Sequence, residues 1–219
     1  MKVTLPRLSR NEMTFVLILL IWGLIPSLVG TARIVEMNAG SGSLPTNPRA
    51  EETPLPIAIH IVSSIAFSLI GIFQLIPAFG KRFPRAHKNL GRVFIGFSIL
   101  SGLTGLWMTH FYSFPSGLQG DLLYTARILV GFGMIYCTII GLLKVMKKRL
   151  FSHLSWMIRA YALGLGAGTQ AIIGISLAVF GLDLEGFPRD IFMTYSWVIN
   201  ILLAEIVINR YPVPRSWKT

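Results

Sequence analysis

The sequence predicts an all-α integral membrane protein, a bundle of six transmembrane helices with its N- and C-termini in the cytoplasm. Three observations predict it. Of 219 residues, 53% are hydrophobic and only 13% charged, against about 25% charged in an average soluble domain. The apolar residues fall into six runs near the length of about 20 residues that crosses a hydrocarbon core. The basic residues, which give a net charge of +11, gather in the short segments between alternate runs, as the positive-inside rule requires. The same placement argues against nucleic acid as a partner, because the charge is divided among loops and forms no single basic face.

The runs cover about residues 13–32, 56–79, 93–110, 122–143, 156–180 and 191–208. The first follows Lys2, Arg7 and Arg10 and so resembles a signal peptide, but it is long for one. It is read as a retained first helix. Pro26, Pro77, Gly102, Gly105, Gly131 and Gly133 lie within runs. They are compatible with helices in lipid, where the backbone has no water to bond instead. The loop 33–55 is the longest connection, rich in Gly, Ser, Pro, Asn and Glu, and is expected on the outer face. The other loops are short, which makes sequential helices antiparallel neighbours. The whole chain, 1–219, is read as a single membrane domain.

With the N-terminus inside, the cytoplasmic segments receive Lys2, Arg7 and Arg10, then Lys81, Arg82, Arg85, Lys88 and Arg92. Lys144, Lys147, Lys148, Arg149 and Arg159 follow, then Arg210, Arg215 and Lys218. That is sixteen of the twenty basic residues; Arg33, Arg49, Arg127 and Arg189 fall outside. The reverse orientation would translocate strongly basic segments. The expected location is the bacterial inner membrane, with the lipid bilayer as partner. A membrane-protein partner or a second copy of the chain stays open.

Four histidines are present. His60 and His110 are expected near the outer ends of the second and third helices, and His87 and His153 at the cytoplasmic starts of the third and fifth. Two histidines on each side suit bis-imidazole ligation of haem b, since neutral imidazole binds iron and packed helices can hold two rings face to face. His87 with His153 is the better pair, both rings lying at similar depth. His87 and His110 are 23 residues apart, about 34 Å along one helix, too far for efficient transfer between two haems. The plainer reading makes all four histidines interfacial hydrogen-bonding groups. The single cysteine, Cys137, lies in an apolar run and cannot form an internal disulfide, and no CxxC motif is present for metal or redox work.

Charges inside a span are costly and either pair or serve function. Arg159 and Glu205 fall at comparable depth and are expected to form an ion pair. Arg127 lies one turn into the fourth helix and could hold an anionic headgroup or a haem propionate, or could snorkel to the interface. Gln74, Gln170 and Asn200 are polar groups within spans that can bond across helices. The run Gly164, Gly166, Gly168 permits close helix approach. It is no dinucleotide fingerprint, because no strand precedes it. No Ser-His-Asp set, HExxH motif or phosphate loop occurs, so classical hydrolysis and phosphoryl transfer have no machinery here.

In order, the chain carries His60, Gly71, Gln74-x-x-Pro77, His87-Lys-Asn-Leu-Gly91-Arg92, His153-Leu-Ser-Trp156-Met157-Ile-Arg159, Asn200 and Ala204-Glu205. This resembles the bacterial predicted-membrane-protein family labelled domain of unknown function 2306. The resemblance implies a multi-helix membrane protein and no particular activity. A weaker resemblance is to ascorbate-reducible transmembrane b-type cytochromes, which implies haem ligands at the starts of helices two to five. His60, His87 and His153 fit that pattern; the start of helix four, 122–127, holds no histidine. Two readings follow: a haem-binding redox protein, or a non-enzymatic accessory subunit, small-molecule or lipid-binding protein, or transporter. Whether the chain is an enzyme is left open.

Overall fold

A backbone in lipid can satisfy its polar groups only internally, so apolar segments fold as helices. The computed structural model describes residues 10–39, 48–115 and 117–210, and among them every regular element is helical. These are α1 (Arg10–Ala39), α2 (Pro48–Glu52), α3 (Pro54–Leu75), α4 (Pro77–Arg82), α5 (Pro84–Phe111), α6 (Asp121–Met146), α7 (Leu150–Gly164), α8 (Gly166–Val179) and α9 (Gly186–Arg210). Six spans are long and apolar enough to cross a bilayer: Met13–Met37, Pro54–Leu75, Pro84–Phe111, Asp121–Met146, Leu150–Val179 and Gly186–Arg210. The protein is therefore multi-pass and embedded in lipid. Lys2, Arg7, Arg215, Lys218 and loop residues 40–47 lie outside the described residues.

The helix ends differ from the sequence expectation where local chemistry intervenes. The first helix continues past residue 32 because Arg33 and Glu36, one turn apart, neutralise each other at 2.6 Å. The loop 33–55 thereby shrinks and holds the short α2. The second helix stops at Leu75: Pro77 has no N–H and pushes Ile76 to extended backbone (φ −87°, ψ 110°). The short α4 follows. The third helix starts at Pro84, nine residues before the apolar run, because proline suits the first turn and basic side chains can snorkel from it. His87 thus sits inside α5, as His153 sits inside α7. The fifth span is broken at Leu165 between α7 and α8.

The core lies where α3, α5 and α7 meet. Phe67 stacks on Phe94 at 4.7 Å between ring centroids, and Tyr161 tilts against both at 5.4 and 6.2 Å. The Tyr161 hydroxyl donates to the Ser68 carbonyl at 2.7 Å. Gly71 makes this approach possible, since a Cβ there would overlap the Tyr161 ring. Hydroxyl pairs bridge neighbouring helices: Ser98 with Thr138 at 2.7 Å, and Ser64 with Ser101 at 2.7 Å. By contrast α1 is peripheral. Only 6% of its most apolar stretch is buried, so lipid solvates most of it, and it packs chiefly against α3 and α8.

The break at Leu165 has its own repair. Asn200 of α9 donates to the Ala162 carbonyl at 3.0 Å and accepts from Thr169 at 2.6 Å. Thr169 in turn accepts from the indole N–H of Trp22 at 2.7 Å. A line of polar groups thus joins α1, α8, α9 and α7 in the middle of the bundle.

Candidate functional site

The antiparallel spans place the starts of α5 and α7 at one end of the bundle, called here the His87 end. The starts of α3 and α6 lie at the other, the Arg127 end.

At the His87 end, His153 Nδ1 contacts the Gly141 carbonyl at 2.8 Å. The contact makes Nδ1 the protonated nitrogen and leaves Nε2 with its lone pair. His87 packs beside Phe79 and over Gly80, within electrostatic reach of His153. Its Nδ1 is buried with no hydrogen-bond partner, and so is Nε2 of Gln74. Gln74 lies against Gly91, where a Cβ would come 3.0 Å from its Oε1. Arg159 grips Glu205 with two bonds of 2.6 and 2.9 Å and covers the Trp156 ring at 5.0 Å. Glu205 is therefore engaged by Arg159. Arg92 is exposed at this end. Among the described residues, no group of three or more His, Cys, Asp and Glu side chains could hold a metal ion.

At the Arg127 end the two histidines have different settings. His60 Nδ1 faces the Ser101 carbonyl at 3.0 Å and the Thr104 hydroxyl at 3.1 Å. His110 instead meets the Tyr124 hydroxyl at 3.0 Å on the exposed side of α5. Of the two, only His60 reaches the main feature of this half: a cavity of about 430 Å³ within the bundle, part open to the exterior. Its walls come from α1, α3, α5, α6, α7, α8 and α9. Its polar lining includes His60, Ser64, Ser68, Ser101 and Gln170. The remainder is largely apolar, including Ile61, Ile65, Met134, Leu163 and Trp197.

The cavity ends under a cationic roof. Phe114, from the loop after α5, holds the Arg49 guanidinium at 4.4 Å and the Arg127 guanidinium at 4.8 Å from its ring centre. Arg127 also donates to the neutral amide oxygen of Gln119. Arg49 and Arg189 repel Arg127, with Asp190 as the opposing carboxylate. Burial holds the Arg49 guanidinium below its ordinary pKa, Tyr112 opposing this and Arg189 and Arg33 adding to it. Tyr112 donates to the Thr53 carbonyl at 2.7 Å, and burial raises the pKa of its hydroxyl. Asp190 is 1% exposed. It accepts from the backbone N–H groups of Gly120 and Leu123 at 3.1 and 3.2 Å, capping α6. The roof thus gathers three guanidinium groups, and the buried carboxylate of Asp190 is turned to backbone donors.

Sequence reading singled out Arg127 and His60 but not the residues that make them a site. Arg49, Tyr112 and Phe114 sit on connections whose convergence no periodicity reveals. The available signal was Arg49 itself, one of only four basic residues on the expected outer side.

The family described as predicted membrane protein (DUF2306) matches residues 57–208. No curated protein and no solved structure matches the chain.

Proposed function

The chain belongs to the DUF2306 family of predicted membrane proteins, and from that premise we propose that it is a non-enzymatic membrane protein binding an amphipathic anion in its interior cavity. The observation that carries this reading is Arg127: a guanidinium inside a span, bonded to a neutral amide, above a cavity with both polar and apolar lining. Arg49 and Arg189 repel Arg127, and Asp190, the carboxylate opposing it, is shared with two backbone donors; a cation in a span is costly unless its charge is fully offset. An acidic head beneath the roof would complete that offset, with the apolar body against Ile61, Ile65, Leu163 and Trp197. His60 and the serines offer hydrogen bonds to oxygens next to the head. The basic residues near the His87 end favour that end in the cytoplasm of a bacterial inner membrane, which puts the cavity in the outer half.

The test is native mass spectrometry of the detergent-purified protein with phosphatidic acid or phosphatidylcholine. Wild type is expected to retain the acid preferentially. A hydrogen bond to a charged group contributes about 1.5–3 kcal/mol, so Arg127→Gln should weaken retention by about ten- to a hundredfold. Equal retention of both lipids, or an unaffected variant, would refute the reading.

A second reading keeps haem b between His87 and His153. It is favoured by the unengaged Nδ1 of His87 and by the Nε2 lone pair that the Gly141 contact leaves on His153. Those residues would ligate the iron, and the group would supply one-electron transfer. A reduced-minus-oxidised spectrum of protein expressed with ample haem decides it: a Soret band lost in His153→Ala supports the reading, and a colourless protein ends it.

A further inference from the structure

We propose that the occupant is a membrane lipid with an acidic head, and that it reaches the cavity sideways from the bilayer when the arm of α1 beyond Pro26 swings outward. This rests on the binding reading above and adds the source of the ligand and its route.

At the aqueous end of the cavity the described residues are bonded to one another. Phe114 lies between two guanidiniums, Tyr112 bonds to Thr53, and Gln119 to Arg127. Arg189 donates to the Leu118 carbonyl, and the Gly186 N–H to the Gly117 carbonyl at 2.8 Å. These bonds join four separate stretches of chain across the roof.

The side wall is built differently. Pro26, Ser27 and Gly30 of α1 line the cavity directly, while Leu24, Leu28 and Val29 on the opposite face are 47%, 60% and 55% exposed. On this side a single helix stands between the cavity and the surrounding lipid. That helix has a hinge at the right depth. Pro26 cannot donate to the Trp22 carbonyl, which rests instead against Gly168, where a Cβ would collide with it. The Ser27 hydroxyl bonds to the Gly23 carbonyl at 2.6 Å, a back-bond that bends helices. The Trp22 indole fixes the pivot to Thr169. Proline and such back-bonds are the usual sites of helix kinking. Beyond the pivot, α1 meets α3 through the smooth surface of Gly30 on Ile61.

The same contact supplies the test. A Cβ built at Gly30 lies 3.8 Å from that of Ile61, the spacing of a disulfide. In the double variant Gly30→Cys, Ile61→Cys, made on Cys137→Ala, oxidation should lock the arm. Protein loaded in detergent with fluorescent phosphatidic acid is then chased with unlabelled lipid. Release from the oxidised protein should be slower by about tenfold or more, as for a closed lid, and reductant should restore it in the same sample. Pro26→Ala, without cysteines, should also slow release. Inorganic phosphate and glycerol 3-phosphate should not displace the probe. Equal release from oxidised and reduced protein, with the disulfide verified by mass, overturns the lateral route alone. Displacement by the soluble anions overturns the lipid source. Failure of the unlocked protein to hold phosphatidic acid at all overturns the binding reading and this proposal together.

Discussion

Removing the Asp190 carboxylate should loosen the Arg127 end of the bundle while favouring anions in the cavity. The carboxylate is 1% exposed and takes both the Gly120 and the Leu123 N–H, at 3.1 and 3.2 Å. Asp190→Ala leaves the buried Leu123 N–H without an acceptor, at about 1–3 kcal/mol, and removes the bond from the more exposed Gly120 N–H, worth about 0.5–1.5 kcal/mol. It also removes a negative charge from a helix N-terminus, where it is favoured by up to about 1 kcal/mol. Together these give a loss of about 1.5–5.5 kcal/mol. Asp190→Asn keeps one acceptor oxygen and should fall between wild type and alanine. The assay is the midpoint of unfolding in mixed dodecyl maltoside and SDS micelles. In the same samples, Asp190→Asn should retain phosphatidic acid more strongly than wild type, because a like charge near the head is gone. An Asp190→Ala variant within about 0.5 kcal/mol of wild type, the range of surface substitutions, would refute the capping role.

Three other outcomes follow. Gly71→Ala and Gly164→Ala put a methyl group into the Tyr161 and Phe67 rings and should each cost about 1–3 kcal/mol by overpacking. Gly96→Ala, with no atom within 4 Å of its added Cβ, should be neutral or stabilising in the same unfolding assay. Asn200→Leu removes the bonds to Thr169 and Ala162 and should lower stability by about 1–2 kcal/mol. For Arg159 and Glu205, whose side chains are 27% and 38% exposed, either single glutamine substitution should destabilise more than the double variant, because each leaves one charge unpaired. A double-mutant cycle measures this, and strictly additive losses would refute it.

Much of the fold could be read from the chain because lipid imposes length and polarity together. The apolar runs mark the span closely in the fourth helix, where polar residues flank it, and begin five residues late in the sixth. They mark the third poorly: the turn from Pro84 to Arg92 is basic, so hydropathy places it in a loop although snorkelling side chains let it be helical. The stop at Leu75 was concealed by the apolar residues on both sides of Pro77. The Arg159–Glu205 contact was legible because two lone charges at one depth have few other partners. The cavity was not. It depends on Arg49, Tyr112 and Phe114 meeting above α1, α3 and α6, and on a helix break that frees space beside Gly164 and Gly168. These are tertiary convergences of connections, which carry no periodic signal.

The most direct measurement of the central claim is where a photoreactive phosphatidic acid labels the protein. Residues of α6 make the comparison internal: Met134 lines the cavity and is 4% exposed, while Phe132, two positions earlier, is 62% exposed to lipid. Binding in the cavity predicts labels at Met134, Trp197 and Met108 that disappear in Arg127→Gln while those at Phe132 persist. Labels confined to Phe132 and other lipid-facing positions, unchanged by Arg127→Gln, would contradict it.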